Sequence, residues 1–344
     1  MTGSPLLDRL GVTLPVLAAP MAGGPTTPAL VLAAAGAGSL GFLATGYQQP
    51  QAFAAQVASV AAETDVYGVN LFAPHPVAVD PRAYAAYRAA LRPLAERFGV
   101  ELPELPVEDD DHWRDKIDVV VAAAPPVVSF TFGLPDPASV TALRRAGSLL
   151  AQTVTTVEES RAAAEAGLDL LVVQAPSAGG HSGTFTPARP LVERPLPELV
   201  IEIGATTSLP IIAAGGVARG EHVAAALAAG AAAVAVGTAL LLAPEAGTSP
   251  TNRSALTRRP QPDTALTRAF TGRPGRGVPN AFVAQYDAAA PLGYPALHHL
   301  TAPIRRASAA QGDPEQVNVW AGSGYREITE RPTAEILQDL STGA

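Results

Sequence analysis

The chain has 344 residues, a formal net charge of −8 and 48% hydrophobic residues, so it can bury one large core or two modest ones. The acidic balance argues against a nucleic-acid-binding surface, which needs a basic patch. Cysteine is absent, which excludes disulfides, thiolate catalysis and Cys-ligated metal sites. The first residues lack the pattern of a signal peptide, and glycines interrupt the longest apolar stretches, so we expect a cytoplasmic protein without membrane spans.

Short apolar runs alternate with Ala-rich helical patterns through most of the chain. Eight runs between Leu14 and Thr238 predict strands: LPVLAAP, LGFLATG, VYGVNLF, VVSFTFG, LLAQTV, LDLLVVQ, LPIIAAGG and AAAVAVGT. They are almost continuously apolar, as in a parallel sheet that is covered on both faces. This pattern predicts an α/β protein with a (β/α)8 TIM barrel. An open doubly wound sheet is the alternative, but no Gly-rich dinucleotide fingerprint follows the first strand.

Two segments interrupt this alternation. Residues 73–126 are too long for one connection and contain two predicted helices, at 81–98 and around 113–123, separated by an acidic EDDD turn. Residues 244–312 lack strand periodicity and predict a small, mostly helical lid. We therefore divide the chain into a barrel at 1–243 with the insertion 73–126, a lid at 244–312, and a tail at 313–344 that returns to the barrel.

Glycines follow the last two predicted strands, at the edge of the barrel where active sites lie. These exits contribute Gly215, Gly216, Ala235, Val236, Gly237 and Thr238. Glycine lets backbone N–H groups approach an anion closely, and helix N-termini add a favourable dipole. The glycines could instead simply permit tight turns. Their presence at both exits, in the order used by phosphate sites of this fold, favours a phosphate.

Asn70 and Gln174 end the third and sixth predicted strands. A carboxamide both donates and accepts hydrogen bonds, so the pair suits the edge of a heterocycle, although each could instead cap a helix. Met21 and Ala22, after the first strand, offer an apolar surface, and the two glycines that follow leave room for a flat ligand. An ordinary turn would explain that segment as well.

His181 lies after the sixth strand, in QAPSAGGHSGTF, directly behind Gly179 and Gly180. Imidazole exchanges protons near neutral pH, so a histidine at the barrel mouth favours a catalytic role over a structural one. In the lid, Tyr294, His298 and His299 are either substrate-lining or exposed. No set of histidines and carboxylates has metal-site spacing, so we expect no metal.

Five ordered motifs resemble those of the nitronate monooxygenases, formerly called 2-nitropropane dioxygenases: APMAGGPTTP, GVNLF, VVQAPSAGGHSGT, PIIAAGGV and AVAVGTALLLAPE. The PMAGG form resembles the class I enzymes, and VNVWAGSG resembles the family's returning tail. The resemblance implies a TIM barrel that binds FMN and oxidises alkyl nitronates, such as propionate 3-nitronate, with O₂ to a carbonyl compound and nitrite. It implies His181 as the active-site histidine and places FMN contacts at Met21, Ala22, Asn70, Gln174, Gly179, Gly216 and residues 235–238.

The chain departs from the family pattern at Ala19, Pro176, Ser177 and Ser323, and its only lysine, Lys116, lies outside the lid. These departures leave the substrate open. An FMN-dependent NAD(P)H reductase of the enoyl-acyl-carrier-protein reductase or quinone reductase type is an alternative, because such enzymes share the AGGH loop. A non-catalytic FMN-binding barrel is another. We expect a nitronate and O₂ as partners, no nucleic acid or membrane, and a candidate homodimer.

Overall fold

The computed structural model describes residues 4–258, 260 and 262–343. The strands are β1 (Val16–Ala18), β2 (Gly41–Ala44), β3 (Tyr67–Phe72), β4 (Val127–Thr131), β5 (Leu149–Val154), β6 (Leu170–Gln174), β7 (Gly180–His181), β8 (Ile211–Ala214), β9 (Ala233–Val236), β10 (Ala265–Thr267) and β11 (Gly275–Gly277). The helices are α1 (Pro5–Leu10), α2 (Pro28–Gly36), α3 (Pro50–Ala61), α4 (Pro81–Phe98), α5 (Trp113–Ala123), α6 (Pro137–Arg145), α7 (Val157–Glu165), α8 (Leu196–Gly204), α9 (Gly220–Ala228), α10 (Pro250–Thr257), α11 (Ala281–Tyr286), α12 (Ala296–Ala310) and α13 (Thr333–Thr342).

Eight parallel strands form a closed barrel in the order β1-β2-β3-β4-β5-β6-β8-β9, which confirms the predicted (β/α)8 fold. The last strand pairs with the first, with Leu17 opposite Ala235, so the sheet has no free edge. Apolar side chains from several strands, including Leu17, Phe42 and Ile212, pack inside the ring. The interior is therefore a packed core, and ligand space is left only at the carboxyl ends of the strands.

Many helices begin at a proline that follows a capping side chain. Thr27, Asp80 and Asp136 each accept a hydrogen bond from the backbone N–H three residues later, and each directly precedes the first helical proline. This combination stops the helix from extending backwards into the strand exit. The exits stay in loop conformation, and their backbone groups can face the barrel mouth.

The segment 73–126 contains two helices that pack in different places. Trp113, Ile117 and Val120 of α5 are buried in one cluster with Val69 and other residues of the neighbouring strands, so α5 is the barrel's own helix between β3 and β4. By contrast, α4 packs against α12, away from the barrel wall. The segment predicted as a single insertion is thus part barrel and part cap.

The predicted lid, residues 244–312, supplies α11, α12, β10 and β11 to a cap over the barrel mouth. The helix α4 also belongs to this cap, and from here on we use the word lid for the whole assembly. Its helices share a cluster of buried aromatic and aliphatic side chains that includes Tyr87, Phe282 and Leu297. The segment 244–312 is mostly helical, as predicted, and its two short strands, β10 and β11, were not predicted. The strands form a second sheet in the order β10-β11-β7, which joins the lid to the His181 strand.

The C-terminal helix α13 completes the outer ring of helices. Ile336, Leu337 and Leu340 are buried in one cluster with Leu30 of α2 and Val223 of α9. The end of the chain therefore covers the seam where β9 meets β1. No helix in the described part of the chain is long and apolar enough to cross a membrane.

Candidate functional site

A cavity of about 660 Å³ lies between the carboxyl ends of the barrel strands and the lid. Every residue predicted to bind the cofactor lines it: Met21, Ala22, Asn70, Gln174, Gly179, Gly180, Gly215, Gly216, Ala235, Val236, Gly237 and Thr238. His181 lines it as well. The barrel thus brings these residues, which are spread over five strand exits, to one space.

One end of the cavity is formed mainly by main chain. Gly215 and Gly216 have φ values of +115° and +73°, a conformation that side-chain-bearing residues rarely adopt. Thr238 begins a short 3₁₀ helix after β9 and accepts a hydrogen bond of 2.9 Å from the Gly322 N–H, which fastens the tail against this exit. Exposed backbone N–H groups after β8 and β9, the seventh and eighth strands of the barrel, are the kind of surface that binds a phosphate group.

The two predicted carboxamides are held differently. Asn70 donates through Nδ2 to Ser129 Oγ at 2.9 Å and Thr131 Oγ1 at 3.1 Å, and its Oδ1 accepts no hydrogen bond within the described residues. Gln174 is instead committed to the His181 loop, since its Oε1 accepts the Gly183 N–H at 2.7 Å and its Nε2 donates to the His181 carbonyl at 3.2 Å. Asn70 therefore keeps only its Oδ1 acceptor for a heterocycle, whereas Gln174 shapes the loop.

His181 is fixed by a strand, by a hydrogen bond and by neighbouring rings. It pairs antiparallel with Gly275 of β11, and its Nε2 lies 2.8 Å from Thr271 Oγ1. The rings of Trp320 and Phe132 lie 5.3 and 5.7 Å from the imidazole centroid. Barrel, lid and tail thus all hold this side chain at the cavity wall.

Burial lowers the pKa of His181 to about 3, and the guanidinium groups of Arg273 and Arg305 contribute in the same direction. The imidazole is therefore neutral at physiological pH. A neutral imidazole keeps one N–H donor and one acceptor, so it can orient a ligand without carrying charge.

This pKa predicts a pH dependence of stability. Between about pH 6.5, the ordinary histidine pKa, and about pH 3, the unfolded chain binds a proton at His181 that the folded chain does not, so stability falls as the pH decreases through this range. We expect the melting temperature to drop less between pH 7 and pH 5 in His181→Asn than in the unmodified chain. His298, whose pKa burial also lowers, retains its share of the effect in that variant. Parallel pH profiles of the two melting temperatures would contradict this expectation.

Arg273 holds the His181 loop from behind. Its side chain is fully buried and donates through Nε to the Ser182 carbonyl at 3.3 Å and through a terminal nitrogen to the Thr184 carbonyl. Its guanidinium carbon lies 4.1 Å from the centroid of the Phe132 ring. No carboxylate pairs with this cation within the described residues, so it adds positive potential beside the imidazole.

The lid side of the cavity carries two more arginines. Arg305 donates to Asn318 Oδ1 at 3.0 Å and to the His298 carbonyl at 2.9 Å, and Arg306 lines the cavity beside it. Burial lowers the pKa of Arg305 to about 10, which leaves it charged at neutral pH. Among the described lining residues no side chain is a carboxylate. In a chain with a net charge of −8, this cavity is a local positive region that favours anionic ligands.

The three predicted lid residues have different positions. His298 lines the cavity. Tyr294 is not among the lining residues but packs behind the wall, 5.8 Å from the His181 ring centroid. His299 is not among the lining residues, and its Nε2 lies 2.5 Å from Asp109 Oδ2 near the surface, which corresponds to the exposed alternative.

Several lining residues were not predicted from the sequence, among them Tyr47, Phe132, Trp320 and Arg305. Tyr47 and Phe132 have positive φ values of 67° and 84°, which are uncommon for aromatic residues and cluster at functional sites. No local pattern announces such a conformation. Arg305 could have been found, because it lies seven residues after His298 and shares its helix face.

Comparison with known proteins agrees with this geometry. The family model described as nitronate monooxygenase matches residues 4–343. The chain belongs to the nitronate monooxygenase family. A probable nitronate monooxygenase from Staphylococcus aureus (strain Newman) is 33% identical over 342 residues, covering 97% of this chain and 95% of the relative.

Solved structures extend the comparison. The nitroalkane oxidase from Streptomyces ansochromogenes superimposes with a TM-score of 0.92 and 38% identity, over 98% of this chain and 97% of that one. FabK from Thermotoga maritima has a TM-score of 0.76 at 24% identity, over 100% and 96% of the two chains, and shows a shared fold. The protein is therefore an oxidoreductase of a flavin-dependent family that oxidises nitronates.

Proposed function

We propose that this nitronate monooxygenase binds FMN and oxidises small alkyl nitronates, including propionate 3-nitronate, with O₂ to a carbonyl compound and nitrite. The observation that carries the proposal is the position of His181. Its neutral ring lines a cavity that is also lined by glycine main chain and by two arginines, Arg305 and Arg306. A phosphorylated, flat cofactor and a small anion would share such a space without a charge conflict.

The residues present fit FMN. Gly215, Gly216, Gly237 and Thr238 would hold the phosphate, and Asn70 would meet the polar edge of the ring, with Met21 against its face. When bound, the flavin would supply the electron-accepting chemistry for nitronate oxidation.

His181 would orient the substrate as a hydrogen-bonding group. A nitronate has already lost its carbon proton, so no base is needed, and a histidine whose pKa is about 3 is a weak base for a neutral nitroalkane. The charged Arg273 and Arg305 would stabilise the nitronate anion at the same place. The site therefore supports nitronates as substrates in preference to neutral nitroalkanes.

The test combines cofactor identity with turnover. Flavin released from the purified protein by heat should co-elute with FMN on chromatography, and oxygen uptake with ethyl nitronate or propionate 3-nitronate should produce nitrite. Freshly dissolved neutral nitroethane should react more slowly than its nitronate. Colourless protein that cannot be reconstituted with FMN, or yellow protein without oxygen uptake, would overturn the proposal.

An NAD(P)H-dependent reductase and a nitronate monooxygenase are expected to respond differently to nicotinamide cofactors. We expect that anaerobic mixing of the holoenzyme with NADH or NADPH leaves the visible flavin absorbance unchanged, whereas anaerobic ethyl nitronate changes it. Rapid bleaching by NADPH would instead favour an NAD(P)H-dependent reductase.

A further inference from the structure

Lys116, the only lysine of the chain, is buried to 1% exposure on α5. Its Nζ lies 2.7 Å from Asp111 Oδ2 and donates to the Thr45 carbonyl at 3.0 Å. Removing an ammonium group from water is energetically costly, and a buried ion pair often adds little net stability. A contribution to stability alone therefore does not account for the buried Lys116–Asp111 pair.

Asp111 connects this lysine to the loop after β2. Its second oxygen, Oδ1, accepts the backbone N–H of Tyr47 at 3.0 Å. The ion pair thus binds residues 45–47 at two points, the carbonyl of Thr45 and the amide of Tyr47. Between them lies Gly46, where a Cβ would stand 2.3 Å from the Phe72 ring. This loop has little freedom to shift while both contacts persist.

The fixed loop gives Tyr47 an unfavourable backbone conformation and a defined place. Its φ of +67° is a left-handed conformation, which is unfavourable for a residue with a side chain. The ring stacks on His298 with centroids 4.2 Å apart and an interplanar angle of 3°, and its hydroxyl oxygen accepts a hydrogen bond from the Tyr294 hydroxyl at 3.3 Å. Tyr294 in turn packs against His181. Tyr47 and His298 together form one wall of the cavity.

We propose that the Lys116–Asp111 pair is a positioning device that holds Tyr47 in place, so that the Tyr47–His298 wall keeps the substrate beside His181. The effect on substrate binding rests on the proposed function, whereas the effect on the position of Tyr47 does not depend on it. Lys116 and Asp111 are positioning residues that act through the backbone of the β2 loop.

The first test is a double-mutant cycle on the holoenzyme with ethyl nitronate. We expect Lys116→Met to lower kcat/KM by about 10-fold, mainly by raising KM, since displacement of a positioning group by about 1 Å can cost up to 10²-fold. In a Tyr47→Ala background the same change should cost less than about 2-fold, because the group that it positions is gone. Equal losses in both backgrounds would overturn the proposal. Asp110→Asn removes a charge from the same acidic turn and is the matched control.

The second test does not depend on turnover. Hydrogen exchange measured by mass spectrometry should show a peptide covering residues 45–48 exchanging at least about 10-fold faster in Lys116→Met, with unchanged exchange in the barrel strands and in Asp110→Asn. Unchanged exchange at residues 45–48 would reject the positioning role even if nitronate oxidation is confirmed. Faster exchange without nitronate turnover would retain it and reject the proposed function. If Lys116→Met does not fold, Asp111→Ala, which removes both the partner of Lys116 and the acceptor for the Tyr47 N–H, replaces it in both tests.

Discussion

Substituting Asn for His181 is expected to reduce kcat/KM for ethyl nitronate by about 10²-fold or more while FMN stays bound, the usual scale for loss of a preorganised hydrogen-bonding group. The reason is geometric, because the imidazole is held against Thr271, Phe132 and Trp320 at the cavity wall. A shorter side chain cannot reach both the lid and the substrate. Initial rates of oxygen consumption at several nitronate concentrations give the measurement.

A histidine away from the cavity supplies the control. His222 lies exposed at the start of α9, where its Nδ1 accepts the Ala218 N–H at 3.2 Å. His222→Asn makes the same chemical change and should leave the rate within about 2-fold. A His181→Asn enzyme that keeps its flavin and loses less than about 3-fold in kcat/KM would remove His181 from the site.

The second large effect is expected at Gly179. A Cβ there would stand 2.5 Å from the Gly322 nitrogen and 2.6 Å from the Ala321 carbonyl carbon, and backbone atoms cannot move aside as a flexible side chain can. Gly179→Ala should push the tail away from Thr238, which Gly322 now contacts, and open the proposed phosphate end. We expect flavin content below about a tenth of the original and a stability loss of about 1–3 kcal/mol from overpacking.

Gly36→Ala makes the same covalent change without a clash. Gly36 ends α2, and nothing lies within 4 Å of the Cβ it would acquire. Alanine is the better helix former, so this variant should bind flavin fully and be as stable as the original or slightly more so. Flavin absorbance per protein and chemical unfolding distinguish the two variants. Full flavin occupancy in Gly179→Ala would contradict the prediction, because it would show that the tail accommodates the added methyl group without loss of the flavin.

The barrel was predictable from the sequence because its strands are continuously apolar and its helices carry their own start signals. β5 and α4 match their predicted boundaries, since each is long and sharply delimited. The strands β7, β10 and β11 were not predictable. They have two or three residues each, several of them glycine or arginine, and exist only because distant segments pair with one another.

The site was predictable to the extent that it follows the strand exits. The glycines and Asn70 line the cavity because the carboxyl ends of the barrel strands and the loops that follow them surround the barrel mouth. Tyr47, Phe132 and Arg273 were missed because their places depend on left-handed backbone or on burial of an unpaired cation. Two departures from the family pattern also meet in space, since the Ser323 N–H donates to the Ser177 carbonyl at 3.0 Å.

The small sheet β10-β11-β7 places His181 and the lid in one hydrogen-bonded unit. An imidazole built into that unit cannot move independently of the lid, because its strand β7 is paired with β11. A substitution that displaces β11 would therefore also displace His181 at the cavity wall.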